Sequence, residues 1–283
     1  MARMENFYNK RKGAPVGTYV ILIFWALINL FPLYWMVTFS LKTNAEIFGG
    51  NMIGLPNDFL WENYEDAIKV GNIGMYFLNS LIVTFLTILL TTVASLMACY
   101  ALTRLEWVGR KTANNIFMLG LTVPAHAAII PVFLILRSMK LTNSYLALIL
   151  PYTAFALAMG IMIFGSFIVT IPKELEEAAC IDGCGVFGIF FKIILPLMIP
   201  AVSTVTIFTF LQAWNELMFA IIFLNKRALY TLPVGIQELS GAYTTKWGPI
   251  GAALVIATFP TLILYAFMSK KIQKSLMAGA IKG

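Results

Sequence analysis

The side chains in this sequence that could do chemistry are few and lie far apart. The single histidine, His126, follows Pro124 inside an apolar stretch, and a proton relay needs an acidic partner that this stretch does not contain. Cys180 and Cys184, four residues apart, fall on one helical face, but two thiols make an incomplete metal site. With Cys99 inside an apolar run, no disulfide framework or metal centre is indicated. Gly109-Arg110-Lys111-Thr112 resembles the end of a phosphate-cradling loop but lacks the earlier glycine, so the chain is not expected to hydrolyse ATP. No paired carboxylates and no Ser/His/Asp set occur. That leaves Glu216, preceded by Trp214 and Asn215, as the one carboxylate inside a long uncharged run. It reads in two ways: as a hydrogen bond between packed helices, or as the lining of a solute path. An aromatic face beside an amide and a carboxylate is a set of groups suited to sugars.

The elements that must position these groups follow from composition. The 283 residues are 60% hydrophobic and only 12% charged, whereas soluble domains carry charge on about a quarter of their residues. The net charge of +7 sits in short basic clusters between uncharged runs, which is a topology signal and not a nucleic-acid footprint. A hydrocarbon core about 30 Å thick needs roughly 20 apolar residues in a helix. Six such runs occur, and they predict spans over about 18–39, 76–103, 112–136, 146–170, 196–224 and 248–269. Each must be helical, because lipid cannot pair an open backbone, and none alternates as a barrel strand does. The first span is too long, and lacks a small-residue cleavage site, for a signal peptide.

With the N-terminus inside, 13 of the 20 Lys and Arg residues fall on the inner side, including Arg3, Lys10, Arg11, Lys12, Arg104, Arg110 and Lys111. Both termini are therefore expected in the cytoplasm. The fold class is an all-α integral membrane protein, one domain over 1–283. Prolines 32, 124, 131, 151 and 260 fall within the spans. Pro124 and Pro131, seven apart, are expected to bend span three, either as packing kinks or as part of a path.

Two connections stand out. Segment 40–75 is long and acidic, with Trp61 and Tyr64 suited to a membrane interface, and its length favours an outer docking surface. On the inner side, 171–192 predicts a helix from 172 to 182 begun by Pro172 and favoured by Glu174, Glu176 and Glu177 in its first turns. Gly183 and Gly185 end it, and Val186 to Phe191 form a second short apolar helix before Pro196 opens span five. Such a helix–glycine–helix pair either presents an apolar patch to a partner or tucks against the bundle.

The spacing in this loop carries a resemblance. Glu177-Ala178-Ala179, then Gly183, Ile193 and Leu195-Pro196, matches in full the EAA-x3-G-x9-I-x-L-P signature of the membrane subunits of binding-protein-dependent ABC importers. Asn79-Ser80, Ala101-Leu102-Thr103-Arg104, Trp214-Asn215-Glu216 and the tail Gly279 to Gly283 resemble the maltose-type carbohydrate branch. Cys180 and Cys184 fall at variable positions of the signature. The resemblance implies a type I importer permease in a bacterial-type cell membrane, without a catalytic site, bound cofactor or metal of its own. Implied partners are a homologous second permease, two ATPase subunits that bind ATP and Mg, and an extracytoplasmic solute-binding protein. Glu177, Ala178, Ala179, Asp182, Gly183, Phe187, Ile193, Leu195 and Pro196 would form the coupling loop to an ATPase subunit. Asn79, Trp214, Asn215 and Glu216 are the candidates for the path. The solute would be a sugar or oligosaccharide; a polyamine, a glycerol phosphate or a secondary carrier are the alternatives.

Overall fold

The computed structural model describes residues 16–240 and 245–280. The basic residues Arg3, Lys10, Arg11 and Lys12, on which the orientation partly rests, and Ile281-Lys282-Gly283 of the tail lie outside the described residues. All regular structure among the described residues is helical. Three long helices cross-match their predicted runs: α1 (Val16–Ser40), α2 (Ile73–Thr103) and, later in the chain, a helix over Leu146–Ile168. A fourth, Trp247–Ala280, is apolar enough to cross a membrane over Trp247–Met268.

The other two predicted spans are not continuous helices. Span three is a pair, Arg110–Thr122 and Ala125–Ser138, bent by 96°, whose α-helical parts are α3 (Arg110–Leu119) and α4 (Ile129–Ser138). The reason is local: Pro124 disfavours helix at Val123, and both residues are extended, with ψ of 115°. Pro131, near the start of α4, is tolerated there. Leu146–Ile168 is α5, and span five is broken twice. The inner helix α6 (Glu174–Ile181) leads into α7 (Val186–Ile189), which continues through a π-helical turn to Leu197; α8 (Ile199–Trp214) then leaves at 74°. Pro200 cannot donate a backbone hydrogen bond and clashes with a continuing helix, so the break falls at Met198. The second break, at Asn215 to Leu217, precedes α9 (Met218–Phe223). The segment expected as an outer loop then folds back as α10 (Leu232–Glu238), with Leu232, Val234 and Gly235 buried, before α11 (Trp247–Ala280).

The bundle centre is α2 packed on α5 and α8. Ser80, Thr84, Thr87, Thr91 and Ser95 recur every three or four residues on α2 and are all buried. Lipid supplies no hydrophobic drive for helix pairing, so small side chains that allow close approach hold the helices together. Opposite this row, a Cβ on Gly160 of α5 would lie 2.6 Å from Ser95 Oγ, so only glycine fits. Helix α1 packs on α11, burying Thr38 and Ser40 at its C-terminal end and leaving its apolar length exposed.

Candidate functional site

The 171–192 loop, expected on the inner side, is built as the spacing predicts, though its first helix starts two residues later. The Lys173 carbonyl accepts the amides of Glu176 and Glu177 at 2.9 and 3.0 Å, and three carboxylates occupy the positive end of α6. At the other end the Cys184 amide reaches back to the Ala179 carbonyl (2.9 Å) and that of Gly183 to Cys180 (3.0 Å). This is a Schellman closure, which needs a left-handed residue, and Gly183 supplies it at φ +81°. Gly185, by contrast, is extended at φ −77° and ψ 171°, so only one of the two glycines is needed for the turn.

The signature divides by face. Ala179, Phe190, Ile194 and Met198 are buried with Cys99, Phe164 and Ile168, and Ile193 and Leu195 pack against them. Glu177, Ala178, Asp182, Gly183 and Pro196 are exposed, and Phe187 and Ile181 are 74% and 87% exposed. The three phenylalanines therefore split. Phe190 packs against Tyr100 of α2, with ring centroids 5.3 Å apart, while Phe187 and Phe191 face outward.

Beneath α6 lies an anchor that the spacing did not announce. Arg104, just past the inner end of α2, places Nε 3.0 Å from Glu176 Oε1, with both side chains largely buried. Its guanidinium also donates to the carbonyls of Ile168 (2.8 Å) and Ile171 (2.6 Å) at the inner end of α5. The Tyr100 hydroxyl donates to Glu176 Oε2 at 3.3 Å. In the sequence Arg104 closes the Ala101-Leu102-Thr103-Arg104 stretch of the resemblance, but no local pattern connects it to the acids some seventy residues on.

The four path candidates are not gathered in one place. Asn79 is buried, donates to the Ala228 and Tyr230 carbonyls at 2.9 Å each, and accepts from Tyr145 at 2.7 Å. Its polar atoms fasten the folded-back segment to α2 and leave nothing for a solute. Trp214 is 2% exposed, stacked on Phe210 at 5.4 Å and bonded through Nε1 to the Ala257 carbonyl (3.0 Å). Asn215, exposed, borders a cavity of about 390 Å³ together with Trp214, Pro233, Ile236, Thr258 and Thr261, so these two candidates share a site. Glu216 turns the other way. It accepts the Tyr152 hydroxyl at 2.7 Å and the Phe219 amide at 3.0 Å, so it caps α9, with a side chain 10% exposed. His126, without an acid in its own stretch, stands 3.7 Å from this carboxylate through Nε2 and is itself exposed. The break at Pro124 carries it there, and no reading of one span in isolation could foresee that.

Segment 40–75, expected on the outer side, is held by its own polar contacts. Lys42 is fully buried and donates from Nζ to the carbonyls of Asn51 and Gly54, both at 2.7 Å. Asn63 donates to the Ser40 and Lys42 carbonyls, and Asn44 pairs with Thr245 and Trp247.

A family profile described as "binding-protein-dependent transport system inner membrane component" matches residues 90–278. The chain belongs to this family. Among its relatives, the sulfoquinovosyl glycerol transport system permease protein SmoH of Agrobacterium fabrum is 38% identical, over 91% of this chain and 90% of the relative. The trehalose/maltose transport system permease protein MalG of Thermococcus litoralis is 35% identical, over 92% of this chain and 94% of its own. In fold, the chain is similar to one from the crystal structure of a bacterial ABC transporter involved in the import of the acidic polysaccharide alginate. There the TM-score is 0.77, the identity 21%, and the coverage 90% of this chain and 95% of the other. The family match takes in the inner loop, the Arg104 anchor and all three helix breaks. It leaves out α1 and the outer segment.

Proposed function

We propose that this chain is the permease subunit of a sugar-importing ABC transporter, providing half of the translocation pathway. It would cross the membrane six times with both termini in the cytoplasm, counting each bent pair as one span. A homologous permease would supply the other half, separate subunits would bind ATP and Mg and hydrolyse the nucleotide, and an extracytoplasmic binding protein would deliver the solute to the outer face. The relatives' names support a carbohydrate as solute.

The observation that carries the reading is the inner elbow. Its buried face is locked to α2, α5 and α8, while Glu177, Ala178, Asp182 and Phe187 stand free on the other side. An elbow rigidly joined to the bundle and unpartnered outward is suited to pass a push into helix tilting. ATP-driven closure of the ATPase pair would draw the elbows together and swing the bundle from inward-open to outward-open. Asn215, beside its cavity, and Glu216 with His126, at neighbouring helix breaks, are the groups we assign to the solute path. Discontinuous helices are where transporters place such groups.

The test is the purified complex in lipid, assayed for ATPase stimulation by binding protein loaded with one sugar at a time. Stimulation by a saccharide supports the reading; stimulation by a polyamine or a glycerol phosphate alone moves the chain to another solute class, and failure to co-purify with an ATPase subunit overturns it. Glu216→Gln that assembles and transports like the parent removes Glu216 from the path.

A further inference from the structure

By chain connectivity the inner elbow is joined to α5 on one side and, through α7, to α8 on the other, so these helices should feel its motion first. The geometry around Arg104 points to a third. Arg104 is the C-terminal cap of α2, and it is the meeting point of three elements. It pairs with Glu176 of the elbow at 3.0 Å, and it caps the inner end of α5 through the carbonyls of Ile168 and Ile171. The Ile168 carbonyl also accepts the Ile171 amide at 3.0 Å, and a guanidinium at the end of a helix adds a donor to such terminal carbonyls and complements the helix dipole. The side chains of Arg104 and Glu176 are 7% and 14% exposed, so the pair works in surroundings where water screens it poorly. Two contacts reinforce it: the Tyr100 hydroxyl on Glu176 Oε2 at 3.3 Å, and the Tyr100 ring against Phe190.

We propose that Arg104, with Glu176 and Tyr100, is a transmission clamp that makes the inner ends of α2 and α5 and the elbow helix α6 move as one body, so that a push on the elbow drives span two directly. This rests on the reading of the elbow as the ATPase docking surface, and it makes Arg104 and Glu176 positioning residues, neither touching solute nor nucleotide. Planar geometry explains the choice of arginine: the guanidinium donates to two carbonyls while its delocalised charge lies against the carboxylate as an ion pair, whereas a lysine ammonium is a single point charge.

The experiment uses the assembled complex in lipid nanodiscs. Spin labels are placed at Ile181→Cys on the elbow and Val108→Cys past the end of α2, both strongly exposed positions, with Cys99, Cys180 and Cys184 replaced by alanine. The label-to-label distance is measured in the nucleotide-free and the vanadate-trapped states. With a clamp, the distance is the same in both states, and Glu176→Gln makes it differ between them while stimulation by loaded binding protein drops at least about tenfold. Arg104→Lys should lose part of the stimulation, and Arg104→Gln with Glu176→Gln together no more than either alone. A distance in the unsubstituted clamp that changes on trapping overturns the proposal, and this measurement needs no clamp variant to fold. Glu176→Gln with parental distance and stimulation overturns it as well. Phe187→Asp separates the two levels: if it abolishes stimulation while the clamp distance changes on trapping, only the clamp falls, and if it leaves stimulation intact, the docking reading falls with it.

Discussion

Replacing Gly183 tests the elbow at the point where backbone geometry alone decides the outcome. Gly183 sits at φ +81°, and a Cβ built there meets no atom within 4 Å. A side chain at this position therefore costs backbone strain and no tertiary clash. For an ordinary residue the left-handed conformation costs roughly 1–2 kcal/mol, and a β-branched residue lies at the upper end. At about 2 kcal/mol the ratio of closed to open elbow falls about thirtyfold, since each 1.4 kcal/mol is a factor of ten. Opening loses the Cys184–Ala179 and Gly183–Cys180 hydrogen bonds, and with them the angle between α6 and α7.

The assay is stimulation of ATPase activity by loaded binding protein in the reconstituted complex. The expected order is Gly, then Asn, then Ala, then Val, because Asn tolerates the left-handed region better than other non-glycine residues. Gly185→Ala is the internal control. That glycine is already extended, with open space around its missing Cβ, so alanine there should leave stimulation at the parental level. Parental stimulation in Gly183→Val, or equal damage from Gly185→Ala, would refute the reasoning.

Two further predictions concern the end of the bundle away from the elbow. Glu216→Ala strips the cap from α9 at a cost of about 1 kcal/mol and strands the Tyr152 hydroxyl at about 1–3 kcal/mol more. The thermal midpoint of the detergent-solubilised chain should therefore fall clearly for alanine and little for Gln, which keeps an acceptor oxygen; equal midpoints for both variants would mean that the cap contributes nothing. Lys42→Met takes the donor from the carbonyls of Asn51, Met52 and Gly54, and hydrogen bonds to a charged group contribute about 1.5–3 kcal/mol. Proteolytic cleavage within residues 49–59 should accelerate at least about tenfold while the bundle resists, and an unchanged digestion pattern would show that the ammonium does not hold that turn.

How much of this was legible follows from the range over which each interaction acts. The lengths of α1, α2 and α5, the acids at the head of α6 and the glycine that closes it all arise within a few residues of one another, where apolar run length, helix dipole and φ preference operate, and the sequence reading reached them. Pro124 is local too, and the bend expected of span three is there at 96°; the break before Pro200 went unread because an apolar run reads as one helix, and such breaks are tolerated where neighbouring helices cover them. Glu216 exposes a deeper limit. Its partners Tyr152 and His126 come from 64 and 90 positions away, and its charge is answered by amides of the helix it begins, a solution available only because the span breaks there. The apolar composition that made the membrane assignment easy also explains why the site resisted. With so few polar groups to pair, each must find its partner across the bundle, and the pairings that couple elbow to helix and helix to path leave no periodic trace along the chain.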